Sequence, residues 1–281
     1  MDIEGCYPNM DKSVIRHAMR AIVQEARRER KSGVSVPVRS RTLKCSWKHV
    51  DGSFKWIDFE TMLKVLDFSL EQAVFSMKDG TLIRQVKGIP MGDALSPGMT
   101  IGTCGWMERD WMEGLSESTK KQFKAARYMD DILLVMRSHG WHKDRFCEAF
   151  QSECYMPPLK LEAQAGDTFL ETTFRIEGDA MHFRLKNVNK DGAKQVWRYH
   201  AYDSYTPITQ KRSTLVAVLK KVDQMASSDG ERMESAVDKL REFQKLGYPL
   251  GEVMRACGRV AVEQGRGVWF AVAAAATRLI R

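Results

Sequence analysis

Between residues 13 and 31 apolar side chains fall at Val14, Ile15, Ala18, Met19, Ile22, Val23 and Ala26, a spacing that predicts an amphipathic helix. Its other face carries Arg16, Arg20, Arg27, Arg28 and Arg30, which suits either a solvated face or one turned toward phosphates. Gly33, with Pro37 close behind, is expected to end it. The pattern then shortens into strands and loops, and Asp51-Gly52 predicts a hairpin turn joining Ser46-Trp47-Lys48 to Phe54-Lys55-Trp56. A second helix is predicted over 59–77, a turn at Asp79-Gly80, and a third helix from near Leu95-Ser96-Pro97 to about Met112. Residues 125–136 read as a tight hairpin, with Met129-Asp130-Asp131 at its tip and 132–136 as a buried return strand.

Another hairpin is predicted over 168–186, where Phe174 and Ile176 alternate with polar residues before a Gly178-Asp179 turn. Met181, Phe183 and Leu185 alternate on its return strand. Beyond Pro207 the period is purely helical, with one stripe at Leu215, Val218, Leu219 and Val222 and a second at Met233, Ala236, Val237, Leu240 and Phe243. An α+β first part and a helical last part predict two domains, joined somewhere between Asn187 and Pro207.

Composition narrows the class. With 281 residues, 43% hydrophobic and 28% charged, the chain can bury a sizeable core, which excludes wholesale disorder. Lys and Arg number 44 against 36 Asp and Glu, a surplus that suits a polyanionic partner. Six cysteines without a CxxC lack the spacing of a zinc site or a disulfide framework and read as buried thiols. The longest apolar run, 268–276, is less than half of the ~20 residues a membrane helix needs. With no leader pattern at the start, the expectation is a soluble, intracellular chain without a membrane partner.

The carboxylates carry the chemical signal. Asp130 and Asp131 are adjacent at a predicted hairpin tip, and Asp2 precedes the first helix in Asp2-Ile3-Glu4-Gly5-Cys6-Tyr7. Charged side chains beside a buried strand are costly unless compensated, and a divalent metal is one compensation; a plain polar turn is the other reading.

Arg84-Gln85-Val86-Lys87-Gly88-Ile89-Pro90-Met91-Gly92-Asp93-Ala94-Leu95-Ser96-Pro97 resembles the reverse-transcriptase signature Q-x-x-G-x-P-M/Q-G-x-x-L-S-P. Asp2 with an aromatic five residues later, this segment, and Tyr128-Met129-Asp130-Asp131 follow one another in that family's order. The resemblance covers about the first 190 residues. It implies an α+β right-hand polymerase: a palm over 1–190, with an antiparallel sheet packed on helices, followed by a helical thumb-like domain over 191–281.

The activity implied is RNA-directed DNA polymerisation, a two-metal transfer of deoxynucleotides onto a primer 3′-hydroxyl, with two divalent ions about 3.5–4 Å apart. Asp2 and Asp130 would bridge the ions, with Asp131 as third carboxylate and the Ile3 carbonyl as a backbone ligand. Mg²⁺, or Mn²⁺ in its place, suits such an all-oxygen site. Tyr7 lies where the family places the aromatic that crowds the sugar 2′ position. Gln85, Gly88, Pro90, Met91 and Gly92 would line the nucleotide, the glycines admitting close backbone approach.

Tyr128 and Met129 would meet primer or template. Thr168-Phe169-Leu170-Glu171 resembles the run that begins the primer-gripping hairpin, with Glu171 a departure, so Phe169 and Leu170 join that surface. Between 186 and 221 eight bases stand against two acids, interleaved with Trp197, Tyr199, Tyr202 and Tyr205; a strand-tracking surface is the expectation, a solvated loop the plain alternative. Lys211, Arg212, Lys220 and Lys221 are the expected phosphate contacts.

Tyr205-x-Pro207 with Gln210-Lys211-Arg212-Ser213, then Gly247-Tyr248-Pro249, resembles the thumb of Penelope-like or algal retroelement polymerases. In the family a fingers region precedes the first catalytic Asp. Here Asp2 is the second residue, so the expectation is a palm and thumb without fingers that binds template and primer but extends slowly or not at all. A truncated or domesticated relative that only binds nucleic acid is the alternative. A viral RNA-dependent RNA polymerase is disfavoured by Leu95-Ser96-Pro97 and Tyr7. A nuclear location follows if the element is eukaryotic.

Overall fold

Two residues near the start of the chain, β1 (Asp2–Ile3), sit inside a four-stranded antiparallel sheet. The computed structural model describes residues 1–38, 44–137, 142–163, 167–186 and 198–279. The sheet's other strands are β6 (Phe123–Tyr128), β7 (Asp131–Met136) and β8 (Leu161–Glu162), in the order β6-β7-β1-β8. Ile3, Ile132 and Leu161 point from it into a core shared with Ile15 of α2 (Lys12–Arg28) and with Met99, Cys104 and Met107 of α4 (Ser96–Glu113). Between them run α1 (Cys6–Asn9), α3 (Phe59–Glu71) and α5 (Glu117–Lys120), and α6 (His142–Glu153) leads to β8. The fold is α+β, and residues 1–164 and 165–281 form separate compact units.

Several elements differ from the sequence expectation. Asp11 caps α2 by accepting from the Ser13 amide at 2.6 Å. The helix stops before Gly33: Arg30 takes the left-handed conformation (φ 61°) and the Lys31 amide reaches back to the Ala26 carbonyl. Gly33 instead opens β2 (Gly33–Pro37), which pairs with β3 (Phe54–Asp58), Val34 opposite Ile57 and Val36 opposite Lys55. The expected partner, Ser46-Trp47-Lys48, contributes only an isolated bridge from Ser46 to Ser35. Gly-Val-Ser-Val-Pro offers a strand alternation that Ser-Trp-Lys lacks.

The second helix ends at Glu71 rather than near Met77. Val74-Phe75-Ser76 forms β4 (Val74–Ser76), paired across the Asp79-Gly80 turn with β5 (Leu82–Arg84). β-branched and aromatic residues beside a strong turn override the helical period there. In the 123–136 hairpin Ile132 is buried, while Leu133 to Met136 are half-buried rather than fully enclosed.

The second unit begins with β9 (Thr168–Phe169), β10 (Thr172–Glu177) and β11 (Ala180–Leu185), ordered β11-β10-β9. Phe174 faces Phe183 and Ile176 faces Met181 across the predicted turn. The helices are α7 (Ile208–Gln224), α8 (Asp229–Lys245), α9 (Leu250–Gln264) and α10 (Val268–Leu279). Both predicted stripes enter their core, at Leu215, Leu219, Val222, Leu240 and Phe243, with Val253, Val260 and Trp269.

The 168–186 hairpin belongs with these helices: the Phe183 amide donates to Ser227 Oγ and the Ser227 amide to the Phe183 carbonyl, each close to 3 Å. A division at 190/191 groups that hairpin with the first part of the chain, whereas by compactness it falls in the second unit. Lys190, Asp191, Lys194 and Trp197 lie outside the described residues. Among the described residues no helix is long and apolar enough to cross a membrane.

Candidate functional site

In the first sheet, Asp2 pairs with Asp131 on one side and with Glu162 on the other, and Asp131 pairs with Tyr128. One rung therefore reads Tyr128, Asp131, Asp2, Glu162 across all four strands, and residues on one rung share a face. Ile3 and Ile132, one residue along, face the core and are 1% and 3% exposed, which turns the carboxylates to the opposite face.

The bonds flanking Asp2 and Asp131 run from the Ile3 amide to the Asp130 carbonyl (3.0 Å) and from the Ile132 amide to the Met1 carbonyl (2.9 Å). This makes Asp2 and Asp131 a non-hydrogen-bonded pair, the arrangement in which opposed side chains come closest. Partial burial foremost, then the charges of Asp130 and Asp131, push the Asp2 carboxyl above its usual range. Opposed like charges oppose folding, and among the described residues no lysine or arginine forms an ion pair with any of the three.

Asp130 occupies the hairpin tip beside Met129, whose φ of 56° closes the turn. Tyr128 is exposed and Met129 half-buried. Glu162 belongs to none of the sequence motifs. The alternation of buried Leu159 and Leu161 with exposed Lys160 and Glu162 is the signal that places it outward.

The loop from Arg84 to Pro97 packs beside this sheet. Gln85 is tied down by its amide to the Ala73 carbonyl and by Lys12 Nζ on its own carbonyl (2.9 Å). Gly88, at φ 80°, lies against the backbone of Tyr7 and Pro8, and the Ile89 amide donates to the Tyr7 carbonyl at 2.8 Å. Gly88 thus admits the chain's own backbone, where an approach to a nucleotide was expected. Pro90 is buried, and its carbonyl accepts from Ser96 Oγ. Met91 is 68% exposed, and Gly92, at φ 90°, has open space where a Cβ would stand. Asp93 accepts from the Leu95 amide at 2.7 Å in the turn just ahead of α4, whose N-cap residue is Leu95. Tyr7, in α1, is half-buried next to this loop.

Phe169 and Leu170 belong to the second unit, Phe169 half-buried in β9 and Leu170 exposed at φ 53°. The four expected phosphate contacts are there too, and the structure revises them. Lys211 is buried, donating to the carbonyls of Tyr202 and Ser204 at 2.6 Å each, so it cannot face a phosphate. Arg212 grips Glu252 with two bonds, Lys220 pairs with Glu263, and Lys221 pairs with Glu171; these three are partly exposed but ion-paired. Tyr199 stacks on Phe243 and Tyr202 meets Tyr248 edge-on, leaving Tyr205 standing in solvent.

Lys211→Met should therefore destabilise the second unit by about 2 kcal/mol, because two inward carbonyls lose their donor. The salt dependence of nucleic-acid binding should stay put. Denaturant midpoints and binding isotherms at several salt concentrations check both halves, and a flattened slope without destabilisation would return Lys211 to the surface.

No protein-family model matches the chain, and no curated protein matches it either. Among the described residues, no group of three or more His, Cys, Asp or Glu side chains is already drawn together to hold a metal ion. The donor chemistry nonetheless fits a hard divalent cation: Asp2, Asp130 and Asp131 offer only oxygens, and their mutual repulsion is what a cation relieves. Burial pushes the Cys154 thiol up to about 12, and a hydrogen bond with Cys6, then burial, pushes the Cys104 thiol up as well, so neither offers a thiolate readily.

Proposed function

We propose that this chain is the polymerising region of a reverse transcriptase, an RNA-directed DNA polymerase of a retroelement, with a palm in its first unit and a thumb-like second unit. The observation that supports the reading is the pairing of Asp2 directly opposite Asp131 with Asp130 at the adjoining tip, which sets the three motif carboxylates side by side in one sheet. Asp2, Asp130 and Asp131, with the Ile3 carbonyl, would hold Mg²⁺ or Mn²⁺, whose contribution when bound is charge stabilisation at the transferring phosphate and a more acidic primer hydroxyl. The protein's own part is positioning. The sheet holds Asp2 against the hairpin, Gly92 leaves backbone open to an incoming nucleotide, and the Tyr7 ring sets the room beside its sugar.

Primer extension on an RNA template with deoxynucleotides and Mg²⁺ tests this reading. Incorporation that requires both the template and the divalent ion is the expected result. The second reading, a relative that binds nucleic acid without adding nucleotides, needs only the basic surplus of 44 Lys and Arg over 36 Asp and Glu. Tight binding with no incorporation under Mg²⁺ or Mn²⁺ would select it.

If Tyr7 sets the sugar pocket, Tyr7→Val should raise the kcat/KM for ribonucleotides relative to deoxyribonucleotides. An unchanged ratio would make Tyr7 a packing residue only, a role its partial burial also allows.

A further inference from the structure

Arg127 lies one residue before the exposed Tyr128, yet its side chain is 11% exposed and each of its three guanidinium nitrogens is hydrogen-bonded. Nε donates to Glu108 Oε1, Nη1 to the Met129 carbonyl at 3.1 Å, and Nη2 to the Ile101 carbonyl at 3.2 Å. Glu108 accepts in addition from the hydroxyl of Tyr155, which is 3% exposed. One planar group thus joins α4, through Glu108 and Ile101, to the tip of the β6–β7 hairpin, and Tyr155 braces its carboxylate from the segment after α6.

The contact to Met129 falls at a sensitive place. Met129 holds a left-handed backbone, which a residue with a Cβ adopts at a cost, so something must hold it. The next residue is Asp130, whose carbonyl receives the Ile3 amide and so ties the tip to β1. The chain of contacts runs Tyr155, Glu108, Arg127, Met129, Asp130, Ile3. We propose that Arg127, held by Glu108 and Tyr155, is the positioning residue that fixes the hairpin tip and thereby sets where the Asp130 and Asp131 carboxylates stand relative to Asp2. The consequence for metal binding rests on the polymerase reading; the consequence for the tip's rigidity does not.

Lysine carries the same charge but cannot direct three donors from one plane, so Arg127→Lys separates geometry from charge. The test compares amide hydrogen exchange in full-length wild type, Arg127→Lys, Glu108→Gln and Tyr155→Phe. In Arg127→Lys the segments holding Ile3 and 129–132 should exchange about tenfold faster or more, while α2 in the same unit keeps its protection. Glu108→Gln and Tyr155→Phe should show the same local pattern more weakly, and they carry the test if Arg127→Lys does not fold. Exchange at the tip unchanged in all three variants, or faster evenly across the first unit, overturns the proposal.

Mn²⁺ binding followed by electron paramagnetic resonance gives the second readout. Loss of an outer partner of metal ligands should weaken Mn²⁺ by roughly tenfold. Wild type that binds no Mn²⁺ through Asp130 would count against the polymerase reading, and the exchange comparison would still decide the role of Arg127.

Discussion

Asp130→Asn is expected to lower nucleotide addition on the order of a thousandfold, a barrier increase of about 4 kcal/mol. The tip carboxylate stands beside the opposed Asp2 and Asp131, and the three concentrate negative charge where the reading needs cations. Removing one takes away charge that the transferring phosphate cannot replace. The fold should respond in the opposite direction. Asp130 and Asp131 both push the Asp2 carboxyl toward its protonated form, so neutralising either relieves repulsion between neighbours in the sheet. Asp131→Asn, directly opposite Asp2, should stabilise the metal-free protein by about 0.5 kcal/mol. Steady-state extension and denaturant melts, run on the same preparations, check the crossed pattern. Loss of activity together with loss of stability would mean that the carboxylates serve the fold, and extension near the wild-type rate would remove Asp130 from the chemistry.

Gly88→Ala should destabilise the first unit by about 3 kcal/mol, and Gly92→Ala by only about 1 kcal/mol. Both glycines have positive φ, 80° and 90°, so both substitutions carry the backbone penalty. Their surroundings separate them. A Cβ on Gly88 would stand 2.6 Å from the Tyr7 carbonyl oxygen and 2.7 Å from Pro8 Cα, backbone atoms that cannot rotate aside. Buried Ile89 and Pro90, with the bond from the Ile89 amide to Tyr7, prevent the loop from sliding off. A Cβ on Gly92 would meet nothing within 4 Å. Because Tyr7 follows β1 so closely, the strain at Gly88 should also reach Asp2, while Gly92→Ala should leave the fold intact and act on nucleotide affinity. Equal denaturant midpoints for the two variants would contradict this division.

Much of this was legible in the residues. The hairpin read over 125–136 follows from a polar tip beside the continuous apolar run 132–136, and the Asp79-Gly80 and Gly178-Asp179 turns from their dipeptides. Strand pairing was less legible. Nothing local says that Phe54-Lys55-Trp56 prefers Gly33–Pro37 over the nearer Ser46-Trp47-Lys48, because that choice depends on the competing alternations of two distant segments. The end of α3 was missed because Leu70 and Val74 continue a helical period that the turn at Asp79-Gly80 interrupts.

At the candidate site the motif residues Asp2, Asp130 and Asp131 could be singled out, but the rung could not. Glu162 joins it only through β8, a two-residue strand whose Leu-Lys-Leu-Glu alternation says which way Glu162 faces but not which strand it pairs with. The expected phosphate contacts went astray for a related reason. Clustered bases look the same in sequence whether they face solvent or, like Lys211, turn inward onto two carbonyls.

The most direct test of the central claim is a crystal of the protein with Mn²⁺, primer-template and a non-hydrolysable deoxynucleoside triphosphate, with manganese located by anomalous scattering. Two manganese peaks about 3.5–4 Å apart, shared by Asp2 and Asp130 and touching the triphosphate, are the predicted result. Manganese bound away from these carboxylates, or Asp2 and Asp130 without metal while nucleic acid is bound, would contradict it.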